Sequence, residues 1–217
     1  AYQNRPRIFD RHIVLPELLY THVAEVDERM GAQGDVVTPF DEAQARNALH
    51  AAFDQGYRCA AIVFMHAYRY PAHEQAMARL AREAGFTQVS VSHEVSPLMK
   101  LVSRGDTTVA DAYLSPVLRR YVDRITHELP GVQVMFMQSN GGLTDARRFQ
   151  GKDSVLSGPA GGVVGMTRTA VGAGFERIIG FDMGGTSTDV SHYAGEYERA
   201  FDTLVAGVRM QIGRAHV

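Results

Sequence analysis

Residues 178–193 read IIGFDMGGTSTDVSHY. An apolar run leads into Asp182, a glycine pair follows at Gly184 and Gly185, and hydroxyls stand at Thr186, Ser187 and Thr188 before Asp189 and Val190. The pattern predicts a strand ending at Asp182, a tight turn over 184–187 and a return strand, 189–193, antiparallel to 177–182. Glycines let such a turn wrap backbone N–H groups around an anion, and the hydroxyls add donors toward phosphate oxygens. A carboxylate at a strand end, here Asp182, can hold a hydrated Mg²⁺, and its second oxygen can position a water. A plain glycine hairpin with a polar tip fits the same residues equally well, because short glycine motifs are weak signals.

Glycines crowd just upstream: twelve of the 21 fall between Gly141 and Gly185. In SGPAGG (157–162) Pro159 is expected to start a helix running to about Val171. Gly158, Gly161 and Gly162 there would permit close approach of a ligand at a helix N-terminus, which favours anions. Close packing on the 177–183 strand is the equal alternative. In SNGGL (139–143), Asn140 either bonds a ligand or satisfies a turn.

The first half reads as alternating helix and strand. Thr38 is expected to cap a helix with Pro39 as its first residue and Asp41 in the first turn. Ala45, Ala48, Leu49, Ala52 and Phe53 form its apolar stripe, and Gly56 ends it. A short strand is expected over 22–26 and a buried one over Cys59–Ala67. A helix from Pro71 to Ala84 and a strand over 88–92 complete a pattern that predicts parallel α/β layering. Residues 96–106 read as a linker, with Lys100 and Arg104 on a solvated loop. A helix follows over 106–129, which Pro116 should kink or divide, and then a strand over 133–138.

Composition excludes several classes. Hydrophobic residues are 45% and charged residues 21% of 217, as in ordinary globular proteins. A formal charge of −2 carries no basic footprint for nucleic acid. No apolar stretch approaches the roughly 20 residues needed to span a bilayer. The single cysteine, Cys59, lies in the apolar run CAAIVFMHA and reads as core, not nucleophile. One cysteine cannot pair within the chain, which suits a reducing, cytoplasmic setting. His66, His73 and His93 lack the spacing of a zinc site.

The 178–193 string resembles the second phosphate-binding hairpin of the actin, sugar-kinase and heat-shock-chaperone superfamily, whose chaperones carry a similar D-L-G-G-G-T-x-D-V-S. FDMGGTSTDVS is more similar still to the hydantoinase A/5-oxoprolinase family. SHEVSPLMKLVSRGDTTVADAYLSPVLRRYV (92–122), MFMQSNGGLTDARRFQGKDSVLSGPAGG (135–162) and IGFDMGGTSTDVSHYAGEYERAF (179–201) extend the resemblance through nearly the whole chain and favour its ATP-dependent oxoprolinase branch.

The resemblance implies α/β, ribonuclease-H-like lobes, incomplete here. It implies ATP-dependent opening of 5-oxo-L-proline to L-glutamate with ATP and Mg²⁺ as cofactors. By motif match, Gly184, Gly185 and Thr186 would grip phosphate, with Ser187, Thr188, Gly161 and Gly162 beside them. Asp182 would handle metal or water, and Asp189 would orient the hairpin. Residues 1–105 would end an N-terminal domain and 106–210 would begin the hydantoinase A domain. Residues 211–217 read as a non-native tail, since QIGRAHV is what a common sequencing adapter encodes in one frame. A first phosphate hairpin (D-x-G-G-T-F-T-D type) and an adenosine-facing glycine segment are expected outside this chain, which therefore reads as an internal fragment, inactive alone. The expected partner is a small-molecule substrate, with no nucleic acid or membrane, and the full-length parent is expected to be a homo-oligomer. The rivals are a hydantoinase, an ATP-dependent carboxylase subunit, or a non-catalytic actin-like nucleotide-binding module.

Overall fold

The computed structural model describes residues 9, 11–12, 17–185, 188–197, 199–200, 203–205, 207–211 and 214–215. It is an α/β fold. Its first part is a hairpin of β1 (Arg29–Met30) and β2 (Val36–Thr38), then α1 (Glu42–Asp54), β3 (Cys59–Ile62), α2 (Ala72–Glu83) and β4 (Gln88–Val91). β3 and β4 pair in parallel from Cys59↔Gln88 to Ile62↔Val91, with α2 as the crossover. Ala45, Leu49 and Ala52 of α1 and Met77, Ala78, Leu80 and Ala81 of α2 bury their stripes with Ile62, Phe86 and Val91 in one core. The layering and the α1 stripe follow the periodicity of the sequence.

Several boundaries differ from expectation, each for a local reason. Thr38 pairs with Arg29 in the β1/β2 ladder, so the cap of α1 passes to Asp41, whose carboxylate accepts the Gln44 N–H at 2.9 Å. Residues 22–26 form no strand, the ladder falling instead at β1 and β2. Cys59 opens β3 on its exposed alternate positions and is not core. β3 stops at Ile62 because buried charges claim the backbone beyond it. The Phe64 N–H donates to Glu74 Oε1 at 2.8 Å, and its carbonyl accepts from Arg104 Nη2 at 2.7 Å. The chain then turns, with His66 in left-handed conformation at φ 60°.

Arg104 is the largest correction. It is 1% exposed and lies in α4 (Leu101–Glu128), a helix that begins inside the expected linker. Besides Phe64, its guanidinium donates to the carbonyls of Leu98 and Met99 and to Ser92 Oγ. Burial pulls its pKa down from the ordinary arginine value, while Glu74 and Tyr68 oppose that shift. Pro116 does not divide α4. Packing against β3 and β4 on one side and against α5 (Gly151–Ser154) and β11 (Val208–Met210) outweighs a proline cost of about 3 kcal/mol. The short α3 (Ser92–Val95) joins β4 to this helix.

Beyond α4, β5 (Met135–Met137) and β6 (Leu143–Asp145) form a hairpin. Its turn is closed by Gly141 at φ 81° and by Asn140 Oδ1, which accepts the Gly142 N–H at 2.8 Å. Asn140 therefore satisfies a turn. Phe136 stacks on Phe149 with ring centroids 4.9 Å apart, over a small core with Val122 and Ala146. α5 leads through Val155 and a left-handed Leu156 into α6 (Ser157–Gly172), two residues before the expected start at Pro159. β7 (Ile178–Met183) and β8 (Thr188–Tyr193) follow, then β9 (Arg199–Ala200) paired with β12 (Arg214–Ala215), and β10 (Thr203–Val205) paired with β11. Among the described residues no helix is long and apolar enough to cross a membrane.

Candidate functional site

The β7/β8 ladder has the expected antiparallel geometry, running from Ile178↔Tyr193 to Met183↔Thr188. Alternation puts Ile178, Gly180 and Asp182 on one face with Tyr193, Ser191 and Asp189. The other face carries Ile179, Phe181, Met183 and Val190, all more than half exposed.

α6 packs on the first face. A Cβ on Gly180 would lie 2.1 Å from Met166 Sδ and 2.6 Å from Ser191 Oγ, so the Met166 side chain of α6 rests directly on the strand at Gly180. A Cβ on Gly162 would come 3.4 Å from Asp182 Oδ2. Between helix and hairpin runs a groove of about 360 Å³, bordered by Gly162, Val163, Met166, Asp182, Asp189 and Ser191, among others. That volume lies in the range of small-molecule pockets.

Of the expected site residues, the structure brings Asp182 and Gly162 together. Gly161 turns instead toward β5, where its Cβ would meet Met137 at 3.6 Å. Gly184 and Gly185 lie exposed at the hairpin tip, and Thr188 starts β8 on the face opposite Asp182. Thr186 and Ser187 lie outside the described residues. Asp189, expected only to orient the hairpin, borders the groove directly across from Asp182. Ser191 and Met166 were not singled out in the sequence. The period-two alternation counted on from Asp189 carries the signal for Ser191, whereas nothing local marks Met166.

The groove combines two carboxylates with the first turns of α6. No side chain caps that helix start, and the positive end of the helix dipole there favours an anion. Among the described residues no three-carboxylate or histidine cluster forms a complete metal cage. Two facing carboxylates suit a Mg²⁺ ion that takes its remaining ligands from water and substrate phosphates.

A family profile described as Hydantoinase/oxoprolinase matches residues 104–217, and one described as Hydantoinase/oxoprolinase N-terminal region matches 1–85. 5-Oxoprolinase 1 of Arabidopsis thaliana is 44% identical over 96% of this chain, which spans 18% of that protein. The crystal structure of an ATP-dependent caprolactamase from Pseudomonas jessenii superposes with a TM-score of 0.78 at 31% identity, covering 88% of this chain and 29% of the other. A nucleotide-free acetone carboxylase structure gives 0.76 at 25% identity, over 87% of this chain and 28% of that one. The chain belongs to the hydantoinase/oxoprolinase family.

Proposed function

We propose that this chain is a segment of an ATP-hydrolysing 5-oxoprolinase, opening 5-oxo-L-proline to L-glutamate, with a ribonuclease-H-like lobe built around the β7/β8 hairpin. The substrate class rests on the Arabidopsis relative, named a 5-oxoprolinase. ATP is supported by the ATP-dependent caprolactamase and by the acetone carboxylase, whose reaction is also described as ATP-dependent. The observation that carries the site assignment is the groove where Asp182 and Asp189 face each other beside Gly162.

The chemistry explains why such a groove suits this reaction. A five-membered lactam is a stable amide, and phosphoryl transfer to its oxygen makes the carbon electrophilic enough for water. That transfer needs its charge neutralised by metal and N–H donors. Asp182, with Asp189 opposite, would hold Mg²⁺, which supplies that charge when bound. Gly184 and Gly185 would contact phosphate from the hairpin tip, with Thr186 and Ser187 by motif match, and Thr188, on the far face, only through its backbone. Gly162 leaves room for it beside α6, while Gly161 faces Met137 of β5. In this reading residues 1–105 end one domain, 106–210 begin the next, and the parent is a cytoplasmic homo-oligomer.

The test is phosphate release from ATP by the longer protein that carries this segment. Stimulation by 5-oxo-L-proline is expected, with none by hydantoin. The isolated 217-residue chain should show none, because Asp182 is exposed to water in its groove. ATP binding without substrate-stimulated turnover in the longer protein would favour a non-catalytic module instead.

A further inference from the structure

We infer that Asp111, which does not border the groove, is a positioning residue for it. Asp111 is 1% exposed in the middle of α4. Its Oδ2 accepts the Ser90 hydroxyl at 2.7 Å, while Oδ1 accepts the Ser115 hydroxyl at 3.2 Å and the Lys152 backbone N–H at 3.0 Å. One carboxylate thus ties β4, α4 and the first turn of α5 together.

The attachment of α5 is tight on every side. The Gly151 N–H donates to Ser115 Oγ at 3.0 Å, and a Cβ on Gly151 would lie 2.7 Å from the Ser115 backbone nitrogen. The Lys152 ammonium donates to the Val95 carbonyl. On its far side α5 holds the 139–142 turn, since the N–H and hydroxyl of Ser139 each reach the Asp153 carbonyl at 2.8 Å.

Only Val155 and Leu156 separate α5 from α6, so the placement of α5 fixes where the first turns of α6 lie. Those turns carry Gly162, whose would-be Cβ lies 3.4 Å from Asp182 Oδ2 across the groove. A shift in α5 is therefore transmitted along a short, hydrogen-bonded path to the wall that faces the reacting phosphate. Misplacement on the scale of an ångström at such a wall costs on the order of a hundredfold in rate. The inference rests on the reading that this groove holds the nucleotide phosphates, and its test is built to separate the two.

In the longer protein, Asp111→Asn keeps an oxygen for the Lys152 N–H and an amide that can donate to Ser90, whereas Asp111→Leu removes both. Amide exchange over residues 157–163 should rise about tenfold in Asp111→Leu, with the α1/α2 amides unchanged, and return near wild type in Asp111→Asn. Turnover should lose about tenfold or more in kcat with KM for 5-oxo-L-proline held in Asp111→Leu, and recover in Asp111→Asn. If Asp111→Leu fails to fold, Ser115→Ala, which loosens the same clamp, should raise exchange over 157–163 about threefold. Unchanged exchange over 157–163, or a folded Asp111→Leu enzyme with wild-type kcat, overturns the inference. Absence of turnover in the wild-type protein overturns the functional reading alone, and the exchange comparison then judges Asp111.

Discussion

Asp182 and Asp189 stand directly opposite each other in the β7/β8 ladder, and both border one groove. Like charges at directly opposed strand positions are destabilising, by an amount on the order of 0.2–1 kcal/mol. A divalent cation beside the pair would reverse that sign. The hairpin therefore keeps a local cost that a metal-bearing ligand relieves, as expected where function and stability pull apart.

Removing one carboxylate should separate the two effects. In the longer protein, Asp182→Asn should leave the fold intact and slightly raise its melting temperature while ATP turnover falls about a hundredfold. Asp189→Asn should give the same stabilisation with a smaller loss. Millimolar Mg²⁺ with ATP should raise the melting temperature of the wild type more than that of Asp182→Asn. Wild-type turnover in Asp182→Asn would show that another group handles the metal.

Glu74 predicts a stability effect far from the groove. Its fully buried carboxylate accepts the N–H groups of Phe64 and His93 and the Ser92 hydroxyl, and it pairs with His93 Nδ1 at 2.7 Å. Ser92 Oγ also takes the Arg104 Nε–H at 2.8 Å, so the glutamate compensates the buried guanidinium through one hydroxyl. Glu74→Leu leaves that cation without its nearby counter-charge and the Phe64 and His93 N–H groups without an acceptor, and should cost about 3–5 kcal/mol. Glu74→Gln keeps the shape and should cost about 1–3 kcal/mol. Chemical denaturation reads both, and equal losses in the two variants would argue that shape, not charge, matters there.

Asp153 sets a pH dependence. Burial holds its carboxyl above the ordinary carboxylate range, with Lys152, Gln138 and the Gln150 N–H pulling the other way. The folded chain then keeps this proton to higher pH than the unfolded chain does. As pH rises from about 4 through the raised folded value, the native state binds more protons than the unfolded one, so stability falls across that window. Asp153→Asn should flatten this decline and be more stable than wild type at neutral pH. Asp106, raised chiefly by burial against an opposing Arg209, contributes a slope of the same sign and remains in that variant. Denaturation midpoints followed from about pH 4 to 7 test this, and parallel curves for wild type and Asp153→Asn would refute it.

How much of this was legible in sequence depends on how local the cause is. The hairpin over 178–193 was readable because alternation and a glycine pair act within a few residues. The α1 stripe was readable for the same reason. Arg104 was not, because an arginine near a proline and a glycine looks like solvated loop, and the carbonyl of Phe64 that helps bury it lies 40 residues earlier. The same network shortened β3 from its expected end at Ala67 to Ile62. The cap of α1 moved from Thr38 to Asp41 because a strand partner at Arg29 claimed the threonine. The expected turn over 184–187 already set Asp189 across from Asp182, but that both border one groove depends on where α6 seats on the hairpin, which no local pattern specifies.

Gly162 offers the most direct probe of the groove. A methyl there would stand 3.4 Å from Asp182 Oδ2, an ordinary contact that neither helix nor hairpin must move to accept. Alanine also suits a helix interior better than glycine by about 0.5–1 kcal/mol. Gly162→Ala should therefore be at least as stable as wild type, yet its methyl occupies space through which a metal-bound phosphate would approach the carboxylate. Nucleotide affinity in the longer protein should weaken about tenfold, or roughly 1.4 kcal/mol. Gly165, one turn further along α6 with nothing within 4 Å of its would-be Cβ and no place on the groove wall, is the control. Gly165→Ala should gain the same helix stability and bind nucleotide as wild type does. Titration with a fluorescent ATP analogue compares them, and equal affinities for the two alanine variants would remove the groove beside Asp182 as the phosphate site.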